Sequence, residues 1–262
     1  DERFQVTIKA VASPSIQELD KEFKQSVLSG DNAYDIAIPH QITSGPGFIT
    51  SHSILPWNNV PYVNPDKPWW NQTINETINI LGQQYYMAGY VTMPTPFCMF
   101  VNKDLAADNN LGDIYQIVRE GKWTLDVLKE MTSKISADIN GDGVYDSADQ
   151  WGISFNDDNQ TLNFMYSCGI LSVIIEDGKP VPNTYNDKMI AFIESMYDLV
   201  WNDNRTLLTT YNTQGEIGDG AFSDGRLLIK CAAVGDLVSY RDLDIDIGVI
   251  PYPMWDEKQD GY

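Results

Sequence analysis

Phe4, Val6 and Ile8 alternate with Gln5, Thr7 and Lys9, the period of two expected of a half-buried strand. After Ser13 and Pro14 the spacing changes. Ile16, Leu19, Phe23 and Val27 recur every three to four residues up to Gly30, which predicts a helix ending on that glycine. A second strand is predicted over residues 34–39. Strand, helix, strand in quick succession is the grammar of a mostly parallel sheet covered by helices. Further on, residues 97–101 read as a short apolar strand and residues 114–120 as a helix ending at Gly121. Leu125, Leu128, Met131 and Ile135 form a helical stripe behind Thr124, a good N-cap residue. Behind Asp187, the residues Met189, Ile193, Met196, Tyr197, Val200 and Trp201 predict one apolar face of a long helix, with Trp201 in the core. A short helix is expected to end near Gly225, followed by a strand over residues 227–234 that breaks at Gly235 and Asp236. A last strand, residues 245–250, stops at Pro251 and Pro253. Strands alternating with helices from end to end predict an α/β fold, with no internal repeat and no low-complexity tract.

In a parallel sheet, ligands bind beyond the carboxyl ends of strands. Beyond the strand predicted at 34–39 lie His40, Gln41 and the glycine-bearing run 43–47. Imidazole and carboxamide groups suit the paired donor and acceptor demands of ligand hydroxyls. An ordinary polar loop is the competing explanation. Residues 53–70 are loop-like and crowded with Pro56, Trp57, Pro61, Tyr62, Pro65, Pro68, Trp69 and Trp70, a density that asks for a packing role.

Composition narrows the function. The 262 residues, 43% of them hydrophobic, suffice for one large domain or two ordinary ones. With 17 Lys and Arg against 37 Asp and Glu, the formal charge of −20 repels phosphate backbones and anionic head groups, so nucleic acid and membrane surfaces are disfavoured partners. No apolar run approaches the roughly 18 to 20 residues of a membrane span. Cys98, Cys168 and Cys231 are odd in number, lack CxxC spacing and sit among apolar or small neighbours, which predicts buried free thiols. His40 and His52 are the only histidines, and no GxSxG, HExxH, Walker or GxGxxG pattern occurs. The chain starts at Asp1 without a signal sequence and is read as a processed chain or a fragment.

One local motif is strong. Residues 138–149, DINGDGVYDSAD, fit the twelve-residue calcium loop at each diagnostic position except the last, where Asp replaces Glu. Its oxygen ligands would come from Asp138, Asn140, Asp142, the Val144 carbonyl, Asp146 and Asp149, with Gly143 making the sharp turn. Four carboxylates in one loop repel each other unless a divalent cation sits among them; a solvated acidic turn is the bland alternative. A helix ends near Ser136, but the residues after the loop look like a turn and strand. The motif is therefore a lone, structural calcium loop and not half of a paired sensor.

Taken in order, the segments GDNAYDI at 30–36, KPWWN at 67–71, FVNKDL at 100–105, EGKWT at 120–124, DINGDG at 138–143 with DQWG at 149–152, FSDGR at 222–226 and GVIPYP at 248–253 resemble the family 1 extracellular solute-binding proteins. These are the receptors of ATP-driven carbohydrate importers, here in the form common among Gram-positive gut bacteria. The resemblance implies a two-lobed, type II periplasmic-binding-protein-like fold, its lobes joined by hinge strands and closing on a ligand. Lobe one would comprise residues 1–100 and 236–262 and be incomplete; lobe two would be residues 101–235, with hinge crossings near 99–102 and 230–236. It also implies a monomeric, non-catalytic receptor, lipid-anchored outside the cell, that delivers a carbohydrate to an ABC-type permease. Sugar rings stack on aromatic platforms. Trp57 and Tyr166 are the favoured aromatics, Asp236 the favoured polar contact, while Trp69 and Trp70 read as structural. Two other classes compete: a secreted, calcium-stabilised glycoside hydrolase or lyase, which needs a pair of carboxylates across a cleft, and a docking module, which needs two calcium loops where one exists.

Overall fold

The computed structural model of the chain describes residues 5, 7–89, 96–156, 160–210, 213 and 217–261, with Gln41, Ile42 and Thr77 described by their backbone alone. The chain forms two compact units, Asp1–Met93 and Pro94–Tyr262.

In the first unit, helix α1 (Ile16–Ser29) starts where the Ser15 hydroxyl accepts the Glu18 N–H and ends at Gly30, whose φ of 68° lets its N–H close on the Ser26 carbonyl. Helix α2 (Gln41–Thr50) buries Phe48, whose ring meets Phe23 edge to face at 5.3 Å. Helix α3 (Gln72–Thr77) is capped by Asn71. The strands expected at 4–8 and 34–39 do not form among the described residues; Phe4 and Val6 lie outside them. Residues 7–12 and 34–39 run without a ladder, and Ile36 and Ile38 are 78% and 89% exposed. Apolar alternation makes a strand only where a neighbouring strand takes up its N–H and C=O groups. Isolated bridges such as Trp70 to Gly89 are the only pairing among the described residues of this unit.

The second unit is built on a five-stranded mixed sheet. Its strands are β1 (Phe97–Asn102), β2 (Trp151–Asn156), β5 (Thr206–Thr209), β6 (Leu227–Ala233) and β7 (Ile247–Ile250), in the spatial order β5-β2-β6-β1-β7. Strand β2 runs parallel to β5 and β6, and β1 runs antiparallel to β6 and β7. A separate hairpin joins β3 (Val173–Glu176) to β4 (Lys179–Pro182). Helices α4 (Lys103–Asp108), α5 (Ile114–Arg119), α6 (Leu125–Ile135), α7 (Gln160–Ser167) and α8 (Asp187–Trp201) complete one side, where Val101, Ile153 and Ile229 pack with Leu128, Phe164 and Phe192. The other side is thinner. There Phe100, Trp151 and Leu227 meet Phe222 of α9 (Asp219–Ser223) and Tyr240.

Two expectations need correction. The boundary between units falls at Met93 and Pro94, not at residue 100, and the tail from 236 belongs with residues 101–235. Its strand β7 pairs with β1, Met99 opposite Ile250, and the Trp123 indole donates to the Pro251 carbonyl at 2.9 Å. Trp201 is not in the core. Helix α8 buries Met189, Phe192, Met196 and Leu199 and leaves Ile193, Tyr197 and Trp201 outward, Trp201 at 63% exposure. Phe192 and Leu199 supply a second apolar stripe, and that stripe won the sheet.

Candidate ligand site

The register gathers several strand ends along one edge of the sheet. The carboxyl ends of β2, β5, β6 and β7 (Asn156, Thr209, Ala233 and Ile250) come out together with the start of β1, since Phe97 lies opposite Ala233 and Met99 opposite Ile250. Loops beyond such an edge are where α/β folds bind small molecules.

Strand β2 leads into α7, and the Gln160 carboxamide oxygen accepts the Asn156 N–H at 2.9 Å, fixing the start of the helix to the strand end. On α7 Tyr166 is exposed while Phe164 and Met165 go inward. The far end of α7 is held by Ser167, whose hydroxyl donates to the Pro253 carbonyl at 2.9 Å and whose carbonyl accepts from the Gln259 carboxamide at 2.6 Å. Strand β6 empties into a 3-10 turn, Val234–Tyr240, opened by Asp236, whose carboxylate accepts the Ala233 N–H at 2.9 Å. Asp236 is exposed, and its charge adds to the burial that pushes the Cys98 thiol up to about 11. Tyr166 and Asp236, both expected from sequence, thus follow strand ends on this one edge. Phe97, at the head of β1 and 56% exposed, joins them and was not expected. Its signal was its place as the first residue of an apolar strand, on the side where the partner strands end.

Beneath the edge, Lys230 of β6 is buried and pairs with Asp219 at the start of α9. Burial, and then the Asp219 carboxylate, push the Tyr240 hydroxyl above its ordinary range. This network ties α9 and the 3-10 turn to the sheet, so the turn carrying Asp236 is anchored from below.

His40, Gln41 and Trp57 belong to the first unit. His40 serves as the N-cap of α2, its Nδ1 accepting the Thr43 N–H at 3.3 Å, and Gln41 is the first residue of that helix. Trp57 opens a 3-10 turn, half-buried, and donates its backbone N–H to the Gln84 carbonyl at 2.7 Å. The strand that was to place His40 and Gln41 does not form among the described residues, while His40 caps its helix and Trp57 opens its turn.

Loop 138–149 is closed by its own side chains. Asp138 accepts the N–H groups of Gly141 and Gly143 at 2.7 and 2.8 Å, and these glycines take φ of 73° and 81°. Asn140 accepts from Asp142, Asp142 from Val144, and Asp146 from Ala148. Asp149 is fully buried and accepts from Ile139 and Asp146. The donor set is all hard oxygen, as calcium requires. Among the described residues, no three His, Cys, Asp or Glu side chains already converge as a metal-holding group.

The fold is that of the periplasmic-binding-protein-like solute-binding proteins, a mixed α/β class. Among solved structures it superposes on UgpB from Mycobacterium tuberculosis in complex with glycerophosphocholine (TM-score 0.64, 16% identity, 96% of this chain and 62% of that one). It also superposes on a cyclo/maltodextrin-binding protein complexed with maltotetraose (TM-score 0.61, 13% identity, 97% and 58%) and on UspC from M. tuberculosis (TM-score 0.56, 17% identity, 96% and 69%). The chain thus spans 58 to 69% of the length of these neighbours, and identities this low establish the fold alone. No protein-family model and no curated protein matches the chain.

Proposed function

We propose that the chain is the larger part of an extracellular solute-binding receptor that captures a carbohydrate and delivers it to an ABC-type permease without chemical change. The observation that carries this reading is that Phe97, Asp236 and the helix bearing Tyr166 all lie at one edge of a sheet whose fold is shared with a cyclo/maltodextrin-binding protein. Aromatic faces suit the C–H faces of sugar rings, and a carboxylate accepts their hydroxyls. Lipid anchoring outside the cell, a monomeric state and the gut-bacterial subtype rest on the sequence resemblance.

Thermal shift against a panel of mono- and oligosaccharides tests the reading. A ligand at a hundredfold its Kd adds about 2.7 kcal/mol. A stabilising glycan recovered intact by chromatography supports a receptor; shortened products overturn it in favour of a hydrolase. Stabilisation by a glycerophosphodiester and by no sugar overturns the choice of ligand.

We further propose that loop 138–149 binds calcium through Asp138, Asn140, Asp142, the Val144 carbonyl, Asp146 and Asp149. The cation would neutralise four clustered carboxylates and staple the end of α6 to the start of β2. Single loops with sub-millimolar to millimolar affinity suit the calcium-rich medium outside cells.

A further inference from the structure

We infer that the second unit carries another sugar-binding site, a pyranose pocket on the open edge of the sheet with Trp201 as its platform. It stands independently of the site at the strand ends. A cavity of about 410 Å³ lies beside edge strand β5, bounded on one side by Trp201, the last residue of α8, and Asn204 just after it, and on the other by Tyr145, Asp146 and Ser147. That volume is within the roughly 300 to 1,000 Å³ of small-molecule sites.

The walls are held before any ligand arrives. On one side the Trp151 indole donates to the Asp146 carbonyl at 2.8 Å, and the Tyr145 ring stands edge to face on Trp151 at 5.6 Å. Arg226 donates to the Ser147 carbonyl and, at 3.2 Å, to the Asp149 carbonyl. On the other side buried Arg205 donates to the Asn202 carbonyl at 3.2 Å and pairs with Asp203 and Asp198. That clamp holds a turn in which Asp203 and Asn204 both take left-handed φ, 61° and 47°, and it puts Asn204 on the cavity lining. Preorganised walls spare a ligand the entropy of ordering them.

The lining selects the ligand's chemistry. Among the described residues no Lys or Arg contributes to it and Asp146 is its single carboxylate, so an anion is disfavoured and a neutral molecule fits. Aromatic rings stand among Asn204, Ser147 and Thr206, a mix that matches a molecule with apolar faces and a rim of hydroxyls. A pyranose has both. The Trp201 indole, 63% exposed, ends an outward apolar face that Ile193 and Tyr197 share, and it is the member of that face that lines the cavity.

Saturation-transfer NMR with methyl pyranosides of gluco, galacto, manno and xylo configuration, in calcium-containing buffer, tests the site. At least one glycoside should receive saturation on its ring C–H protons from the full chain. Measured in a Tyr166→Ala background, which removes the strand-end aromatic, Trp201→Ala and Asn204→Ala should each weaken that binding at least tenfold, and Trp201→Phe should stay within about threefold. Trp201 and Asn204 are exposed, so Trp201→Ala should melt with the parent and Asn204→Ala only slightly below it, since alanine takes the left-handed turn less readily than asparagine. Equal transfer to Trp201→Ala overturns the pocket, as does the absence of transfer from every glycoside. Loss on Tyr166→Ala alone assigns the binding to the strand-end site and overturns this one.

Discussion

Gly152 lies in β2, a strand buried along its whole length, and a Cβ there would stand 2.4 Å from the Thr132 carbonyl oxygen and 2.6 Å from the Thr132 Cα. Both atoms are backbone of α6 and cannot swing aside. Gly152→Ala should therefore push α6 off the sheet and destabilise the second unit by about 3 kcal/mol in urea titration. An unchanged midpoint would mean that the helix has room to move. The three thiols, by contrast, were legible from sequence: Cys98, Cys168 and Cys231 are free and buried. Burial is the first cause of their raised pKa values, about 11 for Cys98 and Cys168 and about 12 for Cys231. A group whose pKa is raised on folding favours the folded state up to its unfolded value and loses that advantage as pH climbs through the folded one. Stability should hold to about pH 9 and fall between about pH 9 and 12, with buried Tyr240 and Tyr252, raised in the same direction, adding to the fall. Replacing the three cysteines with alanine should flatten that slope in unfolding measured across the alkaline range. Trp201 was misassigned because α8 carries more apolar residues than one face can hold.

Among elements, helices with clear stops were the most legible. The Gly30 end of α1 and the Thr124 cap of α6 stand where expected, since a cap is decided by a few adjacent residues. Strands depend on partners far away in sequence. The run at 34–39 has the right alternation and no partner strand among the described residues, whereas β5 and the β3–β4 hairpin have partners and gave too little periodicity to predict. Loop 138–149 falls between these cases: its backbone follows the motif, and its carboxylates already point at their own N–H groups. Calcium should raise the melting temperature, chelation should lower it, and Asp142→Ala should remove that sensitivity while glycan affinity changes less than about twofold. A melting curve indifferent to chelator would count against the site.

For the whole molecule, the fold class was legible and the division into units was not, because a boundary is a matter of which strands share a ladder. Since, among the described residues, both hydrophobic clusters and all seven strands lie beyond Pro94, residues 94–262 expressed alone should melt in one cooperative transition; a broad, sloping melt would contradict the assignment. A net charge of −20 also means self-repulsion in the folded state. Moving from about 0.01 to 0.15 M sodium chloride with chelator present shortens the screening length from about 30 to 8 Å, and the melting temperature should rise. The placing of β1 bears on how the protein is made. It lies between β6 and β7 and pairs with both, yet it leaves the ribosome more than a hundred residues before either. At about 5 to 20 residues per second, an apolar strand waits on the order of 10 s with both edges open. A nascent chain in that interval is a natural client for holdase chaperones, and its folding in vitro should be slow, limited by closing the long loop from β1 to β7.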